Sequence, residues 1–374
     1  MPVWYRELEK LRRSGDVKIV GLIQEQHADR CALFLQWKQM DFPVLVDSLN
    51  RTGVPAVPML WVIDGSGVVR KTRPDIKWFR DEFVKTDYPT VDSDTSEAHA
   101  ESAPETNVGS FLAQHWNAAI DGWRSELERN PSDARIWFRW ACACRARYDH
   151  GGAVSDFQNS VTGWSKALQL QPNNYIFRRR VEQYGPRMKK PYPFYNWVEQ
   201  ARKDIRARGE KPLPLIAEPR GAELALPSRT FEPEQASVSE PDPDGKIARD
   251  VSFVRIETVV SPNPVVAGET VRISVLLTPN ADQDVHWTND AGTVTLVVTS
   301  NDAKIDHAIQ QFDLPQNSSE TSHEVRQFDF EVLLPKGNVP LSLKAYVVYH
   351  VCTGAEGQCV YRRQDLTIEL PYDR

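Results

Sequence analysis

The sequence has no apolar run approaching the roughly 18–20 residues a membrane-spanning helix requires, so no membrane span is expected. Cysteine is scarce: five in 374 residues (Cys31, Cys142, Cys144, Cys352 and Cys359) cannot form a disulfide framework, although one close pair can still be redox-active. An excess of either charge is also lacking, with 45 Lys and Arg against 51 Asp and Glu. A formal net charge of −6 gives no reason to expect nucleic acid or an anionic membrane as a partner. There is no phosphate loop, dinucleotide fingerprint, serine-triad motif or paired-histidine zinc helix, and no cofactor is expected. The amino terminus lacks the basic, apolar and small-residue zones of a signal peptide, which taken literally reads as cytoplasmic. What is present suffices for packed cores: 41% of residues are hydrophobic, and the length suggests two or three domains.

In residues 1–87, Trp4, Leu8 and Leu11 lie at the spacing of one helix face, and Val17–Ile23 reads as a strand. A helical pattern over Ala28–Met40, the apolar run Phe42–Val46, and the stretch Val54-Pro55-Ala56-Val57-Pro58-Met59-Leu60-Trp61-Val62-Ile63-Asp64-Gly65-Ser66-Gly67-Val68-Val69 follow. A Val-Pro ahead of an apolar strand, then Asp-Gly-x-Gly and a second strand, resembles the second half of the thioredoxin/redoxin family, TlpA-like branch, within the AhpC/TSA superfamily. The resemblance implies a cis proline at Pro58, with Val57 before it, presenting backbone to a substrate disulfide. It also implies a Cys-x-x-Cys at the start of the first helix, where Met1-Pro2 already stands, so the pair is absent from this chain. Two explanations follow: the chain starts at an internal methionine of a longer envelope or periplasmic protein, or the domain is a degenerate scaffold. Cys31 stands alone and reads as a buried small hydrophobe.

Residues 88–109 are rich in Asp, Ser, Thr, Glu, Ala and Pro and read as a linker. Residues 110–209 are helical in pattern. Gly122-Trp123 with a following Asn130-Pro131 recurs as Gly163-Trp164 with Gln171-Pro172, an offset of 41 residues. A helix closing in this way resembles the second helix of a tetratricopeptide repeat, though the offset exceeds the usual value of about 34. The resemblance implies a site for a protein partner. Arg178, Arg179 and Arg180 form a basic cluster, read as a solvated face or as partners of local carboxylates. Cys142 and Cys144, two apart on a helix, point in divergent directions and read as core.

Residues 210–250 form a proline-rich linker. From 251 to 374 short alternating runs, 271–277, 294–298, 328–332, 341–349 and 364–370, argue for an antiparallel β-sandwich of immunoglobulin-like architecture. The fold expectation is therefore multidomain: a partial α/β thioredoxin-like domain, an all-α middle and an all-β sandwich. Val285–Asp290 reads as a polar, aromatic turn ahead of a strand, first as an ordinary hairpin and second as a segment that contacts the cysteine loop.

Cys352 and Cys359 flank a glycine-bearing loop between the last two strands, close enough for a disulfide. A strand, Cys, glycine loop, Cys and terminal strand resemble the periplasmic amino-terminal domain of DsbD, which passes reducing equivalents through such a pair. His350 and Arg362 are nearby groups that would favour a thiolate. A static disulfide is the other reading. Metal binding through His286, His323 or His350 fits no common zinc spacing. The expected function is thiol–disulfide oxidoreductase or peroxiredoxin-like chemistry on protein thiols and disulfides, with Cys352 and Cys359 reacting and Val57 and Pro58 binding substrate. The alternative is a non-catalytic interaction scaffold.

Overall fold

The computed structural model describes residues 2–88, 106–186, 197–215, 238–300, 302–314, 319–337, 341–354 and 357–372. Most of both expected linkers, 88–109 and 210–250, lies outside these residues. The chain divides into two compact units, one of 1–150, 166–183 and 195–219, the other of 151–165, 184–194 and 220–374. Helices and antiparallel sheets both contribute, as in a multidomain protein.

The expected first helix is two, α1 (Pro2–Glu7) and α2 (Glu9–Ser14). Leu8, between them, turns inward to pack on Phe79 and Phe83, and α2 ends at Gly15, whose φ of 85° suits glycine alone. Strand β1 (Gly21–Ile23) runs parallel to β2 (Val44–Val46), and α3 (Asp29–Lys38) makes the crossover between them. Strands β3 (Trp61–Ile63) and β4 (Val69–Thr72) form a separate antiparallel pair. Their turn is held by the Asp64 carboxylate, which accepts the backbone N–H groups of Ser66 at 2.9 Å and Val68 at 3.0 Å.

The helices continue as α4 (Thr106–Leu112), α5 (Trp116–Arg129), α6 (Ala134–Asp149), α7 (Val154–Leu170), α8 (Tyr175–Tyr184) and α9 (Trp197–Ala207). In α5, Ala119, Ile120, Trp123 and Leu127 recur at the spacing of one helix face and are buried. Asp133 caps α6 by accepting from Arg135 N, and Asn174 caps α8 by accepting from the N–H groups of Ile176 and Phe177. Helix α9 buries Val198, Ala201 and Ile205 against Leu33 and Trp37 of α3, and the Trp37 and Trp197 rings stack 6.2 Å apart.

The second unit holds β5 (Val254–Ser261), β6 (Thr270–Pro279), β7 (Val285–Thr288), β8 (Thr295–Thr299), β9 (Lys304–Ile305), β10 (Ile309–Gln311), β11 (Thr321–Ser322), β12 (Arg326–Leu333), β13 (Leu341–Thr353) and β14 (Cys359–Leu370). One sheet runs β5-β6-β12-β9. The other runs β10-β8-β13-β7-β11, with β14 on the far side of β13. One core joins them: Ile273, Val275 and Leu277 of β6, Phe328, Phe330 and Val332 of β12, and Leu343, Ala345, Val347, Tyr349 and Val351 of β13. The inward residues of β13 alternate strictly, as a strand with one face on a core requires. Its other face carries a second, smaller cluster, in which Tyr346 and Val348 pack with Val297, Ile247 and Ile309. The edge strand β5 is closed at Val260 by a side chain: Gln158 accepts from the Val260 N–H and donates to its carbonyl, both at 2.9 Å.

Trp287 of β7 is fully buried and donates its indole N–H to the Glu324 carbonyl at 2.8 Å. Its replacement by alanine removes both the packing and the bond. The expected cost is about 3–5 kcal/mol, measured as loss of amide-exchange protection along β13 in denaturant.

Candidate functional site

Strand β13 pairs with β14 from Leu341↔Leu370 to Cys352↔Cys359, so the hairpin register alone sets the two cysteines directly opposite each other. They are joined by a disulfide with a Cα–Cα separation of 4.0 Å, less than the roughly 5.5–6 Å typical of disulfides. The hydrogen bonds explain the closeness. Arg363 of β14 donates its N–H to the Ala248 carbonyl and accepts from the Asp250 N–H, both at 3.0 Å, so its backbone groups point away from β13. Backbone direction alternates along a strand, and Tyr361 and Cys359 share the parity of Arg363. Cys352 and Cys359 are therefore a non-hydrogen-bonded pair, the closer of the two antiparallel pair types.

The two sulfurs differ in environment. Cys352 is only 4% exposed, whereas Cys359 belongs to the exposed residues. The Thr288 hydroxyl lies 2.8 Å from Cys352 Sγ. A disulfide sulfur carries no proton, so the hydroxyl is the donor. Thr288 stands on β7, which pairs with the other side of β13 through Cys352↔His286 and Val351↔Trp287. The segment read as a turn at Val285–Asp290 is thus a strand as far as Thr288. Its inward residues Val285 and Trp287 are buried and its outward residues His286 and Thr288 half-buried.

One turn of the pleat away from the disulfide, the His350 and Tyr361 rings stack across the hairpin at a centroid distance of 4.2 Å. Burial holds the His350 imidazole below its ordinary value, and among the described residues its Nδ1 has no hydrogen-bond partner. Burial thus works against the imidazolium form. Arg362 turns back to donate to the Tyr361 carbonyl at 3.0 Å. In the disulfide form the polar contact to sulfur comes from Thr288. His286 and His323 pack ring to ring at 5.8 Å. Among the described residues no group of three or more His, Cys, Asp or Glu is arranged to hold a metal ion.

The other residues singled out lie in the first unit. The Val57–Pro58 peptide is cis and both residues are exposed. Cys31 is half-buried on α3, and its thiol is pushed up by burial and by the charge of Glu25, which suits the inert reading. Cys142 and Cys144 are buried without exposure. The arginine run separates in two. Arg178 and Arg179 meet Glu182 at 3.2 and 2.9 Å, whereas Arg180 is buried and donates to Gln26 Oε1, to the Gln24 and Ser48 carbonyls and to Cys142 Sγ. An open cleft of about 660 Å³ in this unit is lined by residues including Asn50, Pro55, Asp133, Phe138 and Asn174. Among the described residues no helix is long and apolar enough to cross a membrane.

No family model and no curated protein matches the chain. Solved structures similar to part of it include the GAE domain of yeast GGA1, at 15% identity and a TM-score of 0.21 over 33% of this chain and 96% of that one. Others are AvmM, which catalyses macrocyclization in alchivemycin A biosynthesis (12%, 0.21, 33% and 92%), and BslA, a bacterial hydrophobin (10%, 0.17, 35% and 99%).

The depressed His350 makes the native state prefer the neutral imidazole. Its contribution to stability is complete above the unfolded value of 6.5 and is lost as pH falls below it. Thermal unfolding between pH 7 and 5 should show a stability loss that His350→Phe, which keeps the ring stack, reduces.

Proposed function

We propose that the chain carries out thiol–disulfide exchange through Cys352 and Cys359, with Cys359 the sulfur attacked and Cys352 the sulfur that leaves. The observation that carries this reading is the asymmetry across the disulfide: an exposed residue, Cys359, joined to a buried one, Cys352, whose sulfur already accepts a hydroxyl hydrogen bond. A thiolate of a partner protein attacks Cys359 Sγ, the Cys352–Cys359 bond breaks, and its electron pair leaves on Cys352 Sγ, facing the Thr288 hydroxyl. A second partner thiol, as thiolate, then attacks the partner's sulfur in the mixed disulfide and releases Cys359. The partner is oxidised to a disulfide, and the pair gains two electrons and two protons.

In the same reading, residues 251–374 are an immunoglobulin-like sandwich akin to the amino-terminal domain of DsbD. Residues 110–209 are tetratricopeptide-like and offer a protein partner the cleft of the first unit. Residues 1–87 are part of a thioredoxin-like domain, in which Val57 and Pro58 would face a substrate disulfide. The parallel β1–α3–β2 crossover and the Asp64 turn between β3 and β4 support that last assignment. A cell-envelope location belongs to this reading.

Redox titration of the full chain with mass-tagged thiols tests it. A potential above about −250 mV is expected, and one below about −300 mV would make the pair a structural staple and leave the scaffold reading. Thr288→Val should slow reduction by a small thiol about 3–10-fold, since a hydrogen bond to a charged group is worth about 1.5–3 kcal/mol and only part of the charge develops in the transition state. Thr288→Ser should restore the rate.

A further inference from the structure

The outer edge of β14 is not uniform. At its centre Arg363 is engaged by the extended segment around Ala248 and Asp250, in parallel pairing with Arg249. Near its end the Pro371 carbonyl accepts from the Val265 N–H at 2.8 Å. Ahead of Arg363 the edge opens. Cys359 and Tyr361 have the parity of Arg363, so their backbone N–H and C=O groups point the same way. Among the described residues no backbone group pairs with them on that side. One side chain does, the Arg362 guanidinium at the Tyr361 carbonyl, which marks that carbonyl as facing outward. The exposed residue of the disulfide, Cys359, and the exposed Tyr361 both belong to this stretch.

We infer that the thiol-bearing partner docks as an added strand on β14, an extended peptide pairing with the backbone of Cys359 and Tyr361 and displacing the Arg362 guanidinium. The inference rests on the exchange reading and supplies its mode of recognition. Two features of the same edge favour an extended peptide over other occupants. Extended chain already fills the adjoining positions at Ala248–Asp250 and at Val265, so the edge geometry accepts a strand. Among the described residues, the stretch with no strand paired to it is the one that carries Cys359. A strand paired there holds its backbone about 4.7–4.9 Å from β14. A cysteine opposite Cys359 on that strand would form a hydrogen-bonded pair with it, Cα–Cα about 5.5 Å, a separation at which a disulfide can form, whereas Cys352 on the other side is the closer, non-hydrogen-bonded partner. The alternating side chains of the partner would leave Tyr361 to select an apolar neighbour on the same face.

The test uses the full chain and two acetylated seven-residue peptides of alternating threonine and valine with a central serine, one plain and one N-methylated at alternate residues. Hydrogen exchange at Cys359 and Tyr361 is expected to slow at least fivefold with the plain peptide and to stay unchanged with the methylated one. No slowing, or equal slowing with both, overturns the docking. A reduced central-cysteine version, compared with 2-mercaptoethanol at matched thiolate concentration, separates the two claims. Reduction at least tenfold faster by the peptide supports edge docking. Equal rates without amide protection refute the docking and leave exchange standing. Amide protection without any reduction keeps the docking and refutes exchange.

Discussion

The arrangement at the cysteines depends on the phase of one ladder, the pairing of β13 with β14. That phase puts Cys352 opposite Cys359, makes the pair non-hydrogen-bonded, and turns the backbone of Cys359 outward while that of Cys352 serves β7. A slip by one residue would reverse the facing of every side chain on β14, moving Gln364 and Ile368 out of the interior and the charged Arg363 and Asp365 into it. The apolar and polar alternation of two long strands thus fixes the chemistry at their open end.

Because β13 is central, its outward face needs cover as well as its inward one. The cover is partial. Ile247 packs over Tyr346 and Val348, and Arg363 both stacks on the Tyr346 ring at 3.7 Å and pairs with Asp242. This strap protects the half of the sheet remote from the cysteines. Toward the hairpin end the face carries His350, Cys352 and Thr288, all polar or polarisable and partly shielded by one another. Burial there is deep enough to work against the His350 imidazolium and shallow enough to leave Cys359 in solvent.

The sequence was legible where an element is long and its period unbroken. Runs such as 271–277 and 341–349 announce strands, and the apolar spacing within α5 announces a helix. It was not legible where tertiary contacts overrule local pattern. Leu8 keeps the helical spacing of Trp4 and Leu11 and packs with them on Phe79 and Phe83, yet its φ of −88° and ψ of 3° interrupt the helix there. Strands β9 and β11, two residues each, exist only through their partners. The segment Val285–Thr288 alternates over four residues, a signal masked by the Asn289-Asp290 that follows, so that its contact with the cysteines is legible only as the lesser of two readings. Arg180 looks solvated within a basic run, because its acceptors at Gln24, Gln26 and Ser48 lie more than a hundred residues away in the chain. The cysteine pair itself was legible from spacing, but not the difference between its two sulfurs, which arises from neighbours on another strand and from the open edge.

The Gln158 amide on the β5 edge has a counterpart meaning. A carboxamide presents one acceptor and one donor at the spacing of a peptide group, so at Val260 it stands in for a single residue of a further strand and then ends. Any chain approaching that edge finds the position taken by a group that cannot be extended. The sheet is thereby given a terminus, and growth by stacking one molecule on the next is stopped at that point by a side chain rather than by charge repulsion.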